Sequence, residues 1–191
     1  MAQRLLQKAP GPADARTPLS APARLRVRWL QAEDLPVMAA WERDPEIAHL
    51  MGRRFQTDAD VREWWGTLNR GGDRLGFAIL LDGRLIGDME LLHISRAGQE
   101  AEVRICIGEK AAWNHGYGTV ALDRLMRLAF SDLGLTRVYL RVTRDNHRAI
   151  RCYAHLGFKK RARLRATGRL SGQPDLILMD VTAWSVTAAD R

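Results

Sequence analysis

A mixed α+β sandwich is the fold class this sequence predicts, with a central, mostly antiparallel sheet of seven strands flanked by four helices. Three observations carry that expectation. From Arg24 onward, segments with strand period and helix period alternate without a linker-like stretch. The dipeptide Asp82-Gly83 sits between two apolar runs, the strongest short-range hairpin signal in the chain. Between 101 and 142 a strand, a loop, a long amphipathic helix and another strand follow one another. Such a unit closes as a right-handed crossover and gives parallel neighbours inside the sheet.

The elements follow in order. Leu25, Val27 and Trp29 alternate along a first strand, Leu25–Leu30. Glu33 and Asp34 open a helix that tolerates Pro36 in its first turn and runs to Arg43. Thr57 is an N-cap for a second helix, Asp58–Leu68, which Gly71-Gly72 ends. Strands Leu75–Leu81 and Leu85–His93 form the hairpin, and Ala101–Ile107 is the fourth strand. A helix at Tyr117–Leu133 places Ala121, Leu122, Leu125, Met126 and Ala129 on one side, with Asp123, Arg124 and Arg127 opposite. A strand at Arg137–Val142, a helix at Asn146–Leu156 and strands at Leu164–Leu170 and Asp175–Thr182 complete the domain.

Composition narrows the function classes. The 191 residues suit a single domain, assigned to 24–191, after a proline-rich stretch 1–23 read as a disordered tail. Thirty Lys+Arg against 22 Asp+Glu leave a net charge of +8, which fits nucleic acid, acidic lipid or a small polyanionic cofactor. Two cysteines 46 positions apart argue against a disulfide framework and a zinc site, and a reducing cytoplasm is expected. No apolar run reaches membrane-spanning length, and Leu5-Leu6 is too little for a secretory signal.

The segment Trp113-Asn114-His115-Gly116-Tyr117-Gly118-Thr119 carries a strand into a loop and then into the long helix. Its glycines allow close backbone approach to a ligand. The helix N-terminus adds unpaired N–H donors and a positive dipole end, which suits a phosphate or pyrophosphate. A turn that merely starts a helix is the plainer alternative. No G-x-x-x-x-G-K-[ST] is present. Gly116-Tyr117-Gly118-Thr119-Val120-Ala121 fits G-x-G-x-x-A. However, it starts too far after its strand, and the three arginines of Arg137–Arg144 stand where a ribose-binding acid belongs.

The same loop resembles the acyl-CoA-binding motif of the GNAT superfamily of N-acetyltransferases, Q/R-x-x-G-x-G/A. A second stretch, from Asn146 through Ala149 and Tyr153 to Gly157-Phe158, resembles that family's N-x-x-A-x-x-x-Y-x-x-x-G-F segment. The resemblance extends over Leu25–Thr182, and the order of elements is the one that fold requires. Trp113 departs from the usual Gln or Arg and resembles the RimJ/RimL-type branch. The resemblance implies a GNAT-like fold and acetyl-CoA as acyl donor. It also implies direct acetyl transfer to a primary amine in a ternary complex, on a protein N-terminus or a small molecule such as an aminoglycoside or polyamine.

Site residues follow from that resemblance. The backbone of Ile105, Cys106 and Ile107 would pair with the pantetheine arm, and the N–H groups of Asn114 to Thr119 would face the pyrophosphate. The pyrophosphate-side residues are thus Trp113, Asn114, His115, Gly116, Tyr117, Gly118 and Thr119, with Asn146 as a helix cap or cofactor contact. Tyr153 is the candidate proton donor to the thiolate, against the alternative of a packed core tyrosine. Glu102 is the candidate general base. Its alternatives are an ion pair with Arg104 or with a neighbouring-strand cation, and Glu90 or a water relay stand as competing bases. No metal ligands are expected.

Three readings compete over the remaining features. The run Lys159–Arg165 holds five cations in seven residues and could grip nucleic-acid phosphates or the cofactor 3′-phosphate, although a solvated face is favoured. A non-catalytic acyl-CoA sensor would keep the loop but not need Tyr153. Self-association as a homodimer stays open, as does the acceptor amine.

Overall fold

The computed structural model describes residues 25–51, 55, 57–68, 72–165 and 175–182. The expected tail 1–23 therefore lies outside the described residues. The strands are β1 Leu25–Trp29, β2 Leu75–Leu81, β3 Arg84–Ser95, β4 Glu100–Ile107, β5 Arg137–Thr143, β6 Lys159–Leu164 and β7 Leu176–Thr182. They form one sheet in the order β1-β2-β3-β4-β5-β7-β6. Every neighbouring pair is antiparallel except β4 and β5, which run parallel. The helices are α1 Leu35–Arg43, α2 Pro45–Met51, α3 Asp58–Thr67, α4 Tyr117–Arg127 and α5 His147–His155. None of the described helices is long and apolar enough to cross a membrane.

Local chemistry explains most boundaries. Thr57 caps α3 as expected: its hydroxyl accepts from the Asp60 N–H while Asp60 accepts from the Thr57 N–H, a reciprocal capping box. Asp82 and Gly83 form the two-residue turn between β2 and β3, with Leu81 opposite Arg84. Beyond Arg127 the chain widens into a π turn over Leu128–Asp132, which accounts for the longer helix expected there.

Two expectations need correction. The helix α2 was not foreseen. Asp44 accepts through Oδ1 from the N–H groups of Glu46 and Ile47, and Pro45 supplies a pre-set φ at the first helical position. The basic run is itself β6, rather than a loop leading to a strand at 164–170. Lys159–Leu164 pairs with β7 and its residues are exposed. Most of 164–170 lies outside the described residues. Cations on a sheet edge deter pairing with other chains. Arg161 and Arg163 also meet acids within the chain, Asp180 and Asp175.

The sheet faces differ in kind. Beneath α4 and α5 lies a continuous apolar core including Ile79, Met89, Leu91, Val103, Leu122, Leu125, Val138 and Leu140. Each such side chain stabilises the fold by about 1.5–3 kcal/mol on full burial. Beneath α1–α3 a smaller apolar cluster of Met38, Phe55, Val61, Trp64 and Ala78 sits beside buried acids of the sheet, Asp88, Glu90 and Glu102. Those acids share a face because Asp88, Glu90 and Leu92 stand opposite Cys106, Arg104 and Glu102. The parallel ladder between β4 and β5 holds only three register pairs, Glu100–Arg137, Ala101–Val138 and Glu102–Tyr139. Beyond them the strands part.

Candidate active site

A cleft of about 430 Å³ opens where β4 and β5 separate. Its floor is Val103–Ile107 of β4 and Arg141–Val142 of β5. One wall is the glycine loop and the first turn of α4, the other is α5, and Ile47, Leu50 and Met51 of α2 cover it. Ionic contacts hold that cover. Lys110, just before the loop, reaches Asp44 and Glu46 at 2.8 Å each, and His49 meets Asp145 at 2.7 Å. The Asp145 carboxyl is consequently held below its ordinary value, chiefly by the His49 hydrogen bond.

The glycine loop is built to present its backbone. The Glu109 N–H donates to the Ile86 carbonyl at 3.1 Å, which continues β3 pairing past β4. Gly108 packs so closely on the Trp41 ring that a Cβ there would lie 1.9 Å from it. Only glycine fits this approach. Asn114 and Gly116 adopt φ of +65° and +79°, the left-handed turns that swing the chain into α4. Cys152 and Thr119 meet at 3.1 Å, tying the first turn of α4 to α5.

Most sequence-derived candidates converge on the cleft: Ile105, Cys106, Ile107, Trp113, Asn114, Gly116, Tyr117, Gly118, Thr119, Asn146 and Tyr153 all line it. Asn146 is a helix cap, accepting from the Ala149 N–H at 3.1 Å. Tyr153 is buried between the cleft and the core. Burial foremost, with Cys152 and Cys106 beside it, pushes its phenol well above the ordinary value of 10.0, and Arg104 pulls the other way. Burial likewise pushes the Cys152 thiol up, against its Thr119 contact, which suits packing rather than attack.

Two candidates do not face the cleft. His115 is exposed and stacks on the Tyr117 ring at 5.7 Å between centroids, because the left-handed residues on either side turn it outward. Glu102 is only 3% exposed and gives both oxygens to Arg141, at 2.8 and 2.9 Å. His93 adds a contact at 3.2 Å from a bulged position of β3 with φ +54°. The cation expected as an alternative partner is therefore on the neighbouring strand, and it is not Arg104.

Sequence reasoning missed the arginines. Arg148 lies over the Trp113 ring at 3.7 Å from its centroid, while the Trp113 indole N–H donates to the Ile107 carbonyl at 2.6 Å. Burial pulls Arg148 below its ordinary value of 12.5 yet leaves it charged at neutral pH. Arg104, Arg141 and Arg151 also line the cleft. Arg148 stands inside the Asn146–Ala149 motif at a position the motif leaves open, so spacing alone could not mark it.

Residues suited to an acyl-CoA are thus in place: a parted ladder with backbone free along one side, a left-handed glycine at a helix N-terminus, and cations beside it. Comparison with known proteins agrees. The profile of the acetyltransferase (GNAT) domain family matches residues 24–159. The chain is 32% identical to spermidine N(1)-acetyltransferase of Escherichia coli K12, over 78% of this chain and 80% of that one. It is 26% identical to an uncharacterized N-acetyltransferase, p20, of Bacillus licheniformis, over 85% and 92%. Its fold matches the crystal structure of spermidine N-acetyltransferase from Vibrio cholerae, in complex with CoA and spermine, with a TM-score of 0.78 and 21% identity over 86% and 99%. The chain belongs to the GNAT family and is an N-acetyltransferase with acetyl-CoA as its acyl donor.

Proposed function

We propose that the chain transfers acetyl directly to a small primary amine, with both substrates in the cleft and Tyr153 as proton donor. The observation that carries this reading is the parting of β4 from β5 beside a buried tyrosine. Acetyl-CoA supplies an activated thioester. Atoms balance simply: the amine nitrogen gains the acyl carbon, the carbon–sulfur bond breaks, the nitrogen loses a proton and the sulfur gains one.

The chain's own residues divide the work. Backbone groups of Ile105–Ile107 hold the pantetheine arm, and the N–H groups at Gly116–Thr119 hold the pyrophosphate with Arg148 beside them. Tyr153, kept neutral by burial, donates to sulfur. Glu102 acts as a positioning residue that fixes Arg141 at the cleft, and the amine proton leaves through water at the open mouth.

A small-molecule acceptor is supported by the covered cleft and by the polyamine acetyltransferases among the relatives. The amine of a protein N-terminus is the second reading, favoured by the RimJ/RimL-like Trp113-x-x-Gly loop. Tyr153→Phe tests the chemistry. It should lower kcat by about 10²-fold or more with acetyl-CoA affinity unchanged by calorimetry. Because the raised phenol stays protonated across an ordinary assay range, any loss of wild-type activity up to pH 9 should persist in relative form in the variant. Normal turnover by Tyr153→Phe would return the residue to a packing role.

A further inference from the structure

We infer that the acceptor carries a negatively charged group near its amine, and that Arg104, with Arg141, binds it. This deepens the acetyl-transfer reading above and rests on it.

Position makes the case first. The last rung of the parallel ladder is Glu102–Tyr139, and the next residues on that same face are Arg104 on β4 and Arg141 on β5. The two guanidinium groups therefore flank the point where the strands begin to part. Ile107, where the cofactor loop starts, lies three residues further along β4, about 10 Å away by the rise of a strand. Arg148 and Arg151 stand on α5 and Arg148 sits at the loop, so the cofactor phosphates have their own cations.

Charge makes it next. Arg141 spends its Nε and Nη2 on Glu102, which fixes the side chain and leaves Nη1. Arg104 is half-buried, and its hydrogen bond runs from Nη2 to the Met51 carbonyl of α2 at 3.2 Å. Glu90 stands opposite Arg104 across the β3–β4 ladder, but its carboxylate turns to Arg74 at 3.7 Å and to the Trp64 indole N–H at 3.4 Å. No Asp or Glu lines the cleft among the described residues. A half-buried guanidinium with donors to spare, next to the reacting tyrosine, invites a carboxylate or similar anion with fork geometry. A polyamine would bring several positive charges to a cleft whose lining charges are Arg104, Arg141, Arg148 and Arg151, while Glu90 and Glu102 on the same sheet face are buried outside that lining.

The full-length chain can be tested by thiol release from acetyl-CoA with three sets of amines. These are spermidine and putrescine, amino acids and dipeptides with free carboxylates, and the amides of those same compounds. Carboxylate amines should exceed their own amides in kcat/KM by about 10- to 100-fold, the scale of a charge-assisted contact. Arg104→Met should erase that difference, lowering turnover of the acids and not of the amides. Arg104→Lys should restore part of it, which separates recognition from folding. Calorimetry of N-acetyl amino acids on the CoA complex gives a second readout, with affinity falling about 10-fold or more in Arg104→Met. Faster turnover of spermidine than of every carboxylate amine would overturn the inference while leaving acetyl transfer intact. Failure to acetylate any amine would overturn the acetyl-transfer reading, and the calorimetry then decides the anion site alone: no binding of N-acetyl amino acids, or binding indifferent to Arg104, removes it.

Discussion

The two ends of the cleft are made of different material. The end proposed for the cofactor is mostly backbone, a glycine loop, a helix N-terminus and a strand edge, with Trp113 and Arg148 as trimming. The end proposed for the acceptor is mostly side chain: Arg104, Arg141 held from behind by Glu102, and the apolar side chains of α2. Backbone geometry tolerates exchange of neighbouring side chains, whereas a side-chain wall changes its ligand with one substitution. A single scaffold can therefore keep one acyl donor and vary its acceptor.

The sharpest way to break this contrast is at Gly118. A Cβ there would meet Ile107 at 3.5 Å, an ordinary contact, so the fold has room for alanine. The larger Gly118→Val should abolish acetyl-CoA binding by calorimetry while the melting temperature stays near wild type. Unchanged affinity would mean that the loop is not the cofactor end.

Arg148→Ala probes a cation proposed to stand beside the phosphates there. It removes a stacked cation and should weaken acetyl-CoA binding by about 10-fold, with a smaller loss for Arg148→Lys. Loss of more than about 10³-fold would make this end as dependent on side chains as the other.

The smallest expected effect is at Glu102→Gln. The partner Arg141 is half exposed, so its loss of charge pairing is screened, and a cost of about 1–2 kcal/mol in stability is expected rather than the larger figure for a fully buried pair. The pH–rate curve should run parallel to wild type between pH 6 and 9.5. Preferential loss at low pH, with recovery as free amine accumulates, would instead make Glu102 the base.

What could be read from the sequence follows the same division. Thr57, Asp82-Gly83 and Asn146 act on residues two or three positions away, and their caps and turn appear where expected. Gly116, Gly118 and Tyr153 were visible through motifs whose spacing reflects backbone needs. The arginine wall was not, because Glu102 meets Arg141 across 39 positions and Arg104 meets Met51 across 53. Alternation placed Glu102 on the correct face of β4 but gave no hint of which cation stood beside it. The edge strand β6 escaped because its residues are exposed along their whole length, so no apolar alternation marks it; pairing with β7 alone defines it.

The short ladder between β4 and β5 has one more consequence. From Val103 to Ile107 the β5-facing backbone of β4 has no strand to pair with, so the sheet is laced tightly on both sides of a seam that stays undone. A ligand whose amides bridge that seam completes the weave, and its affinity becomes part of the energy holding the two halves of the sheet together. At a concentration 100 times its Kd, such a ligand adds about 2.7 kcal/mol to the stability of the folded chain. Amide exchange along Val103–Ile107 should therefore slow when CoA is added, while exchange in β1 and β2 changes little. The protein in a cell rich in acyl-CoA is then a firmer object than the same chain alone, and its resistance to unfolding tracks the supply of its own substrate.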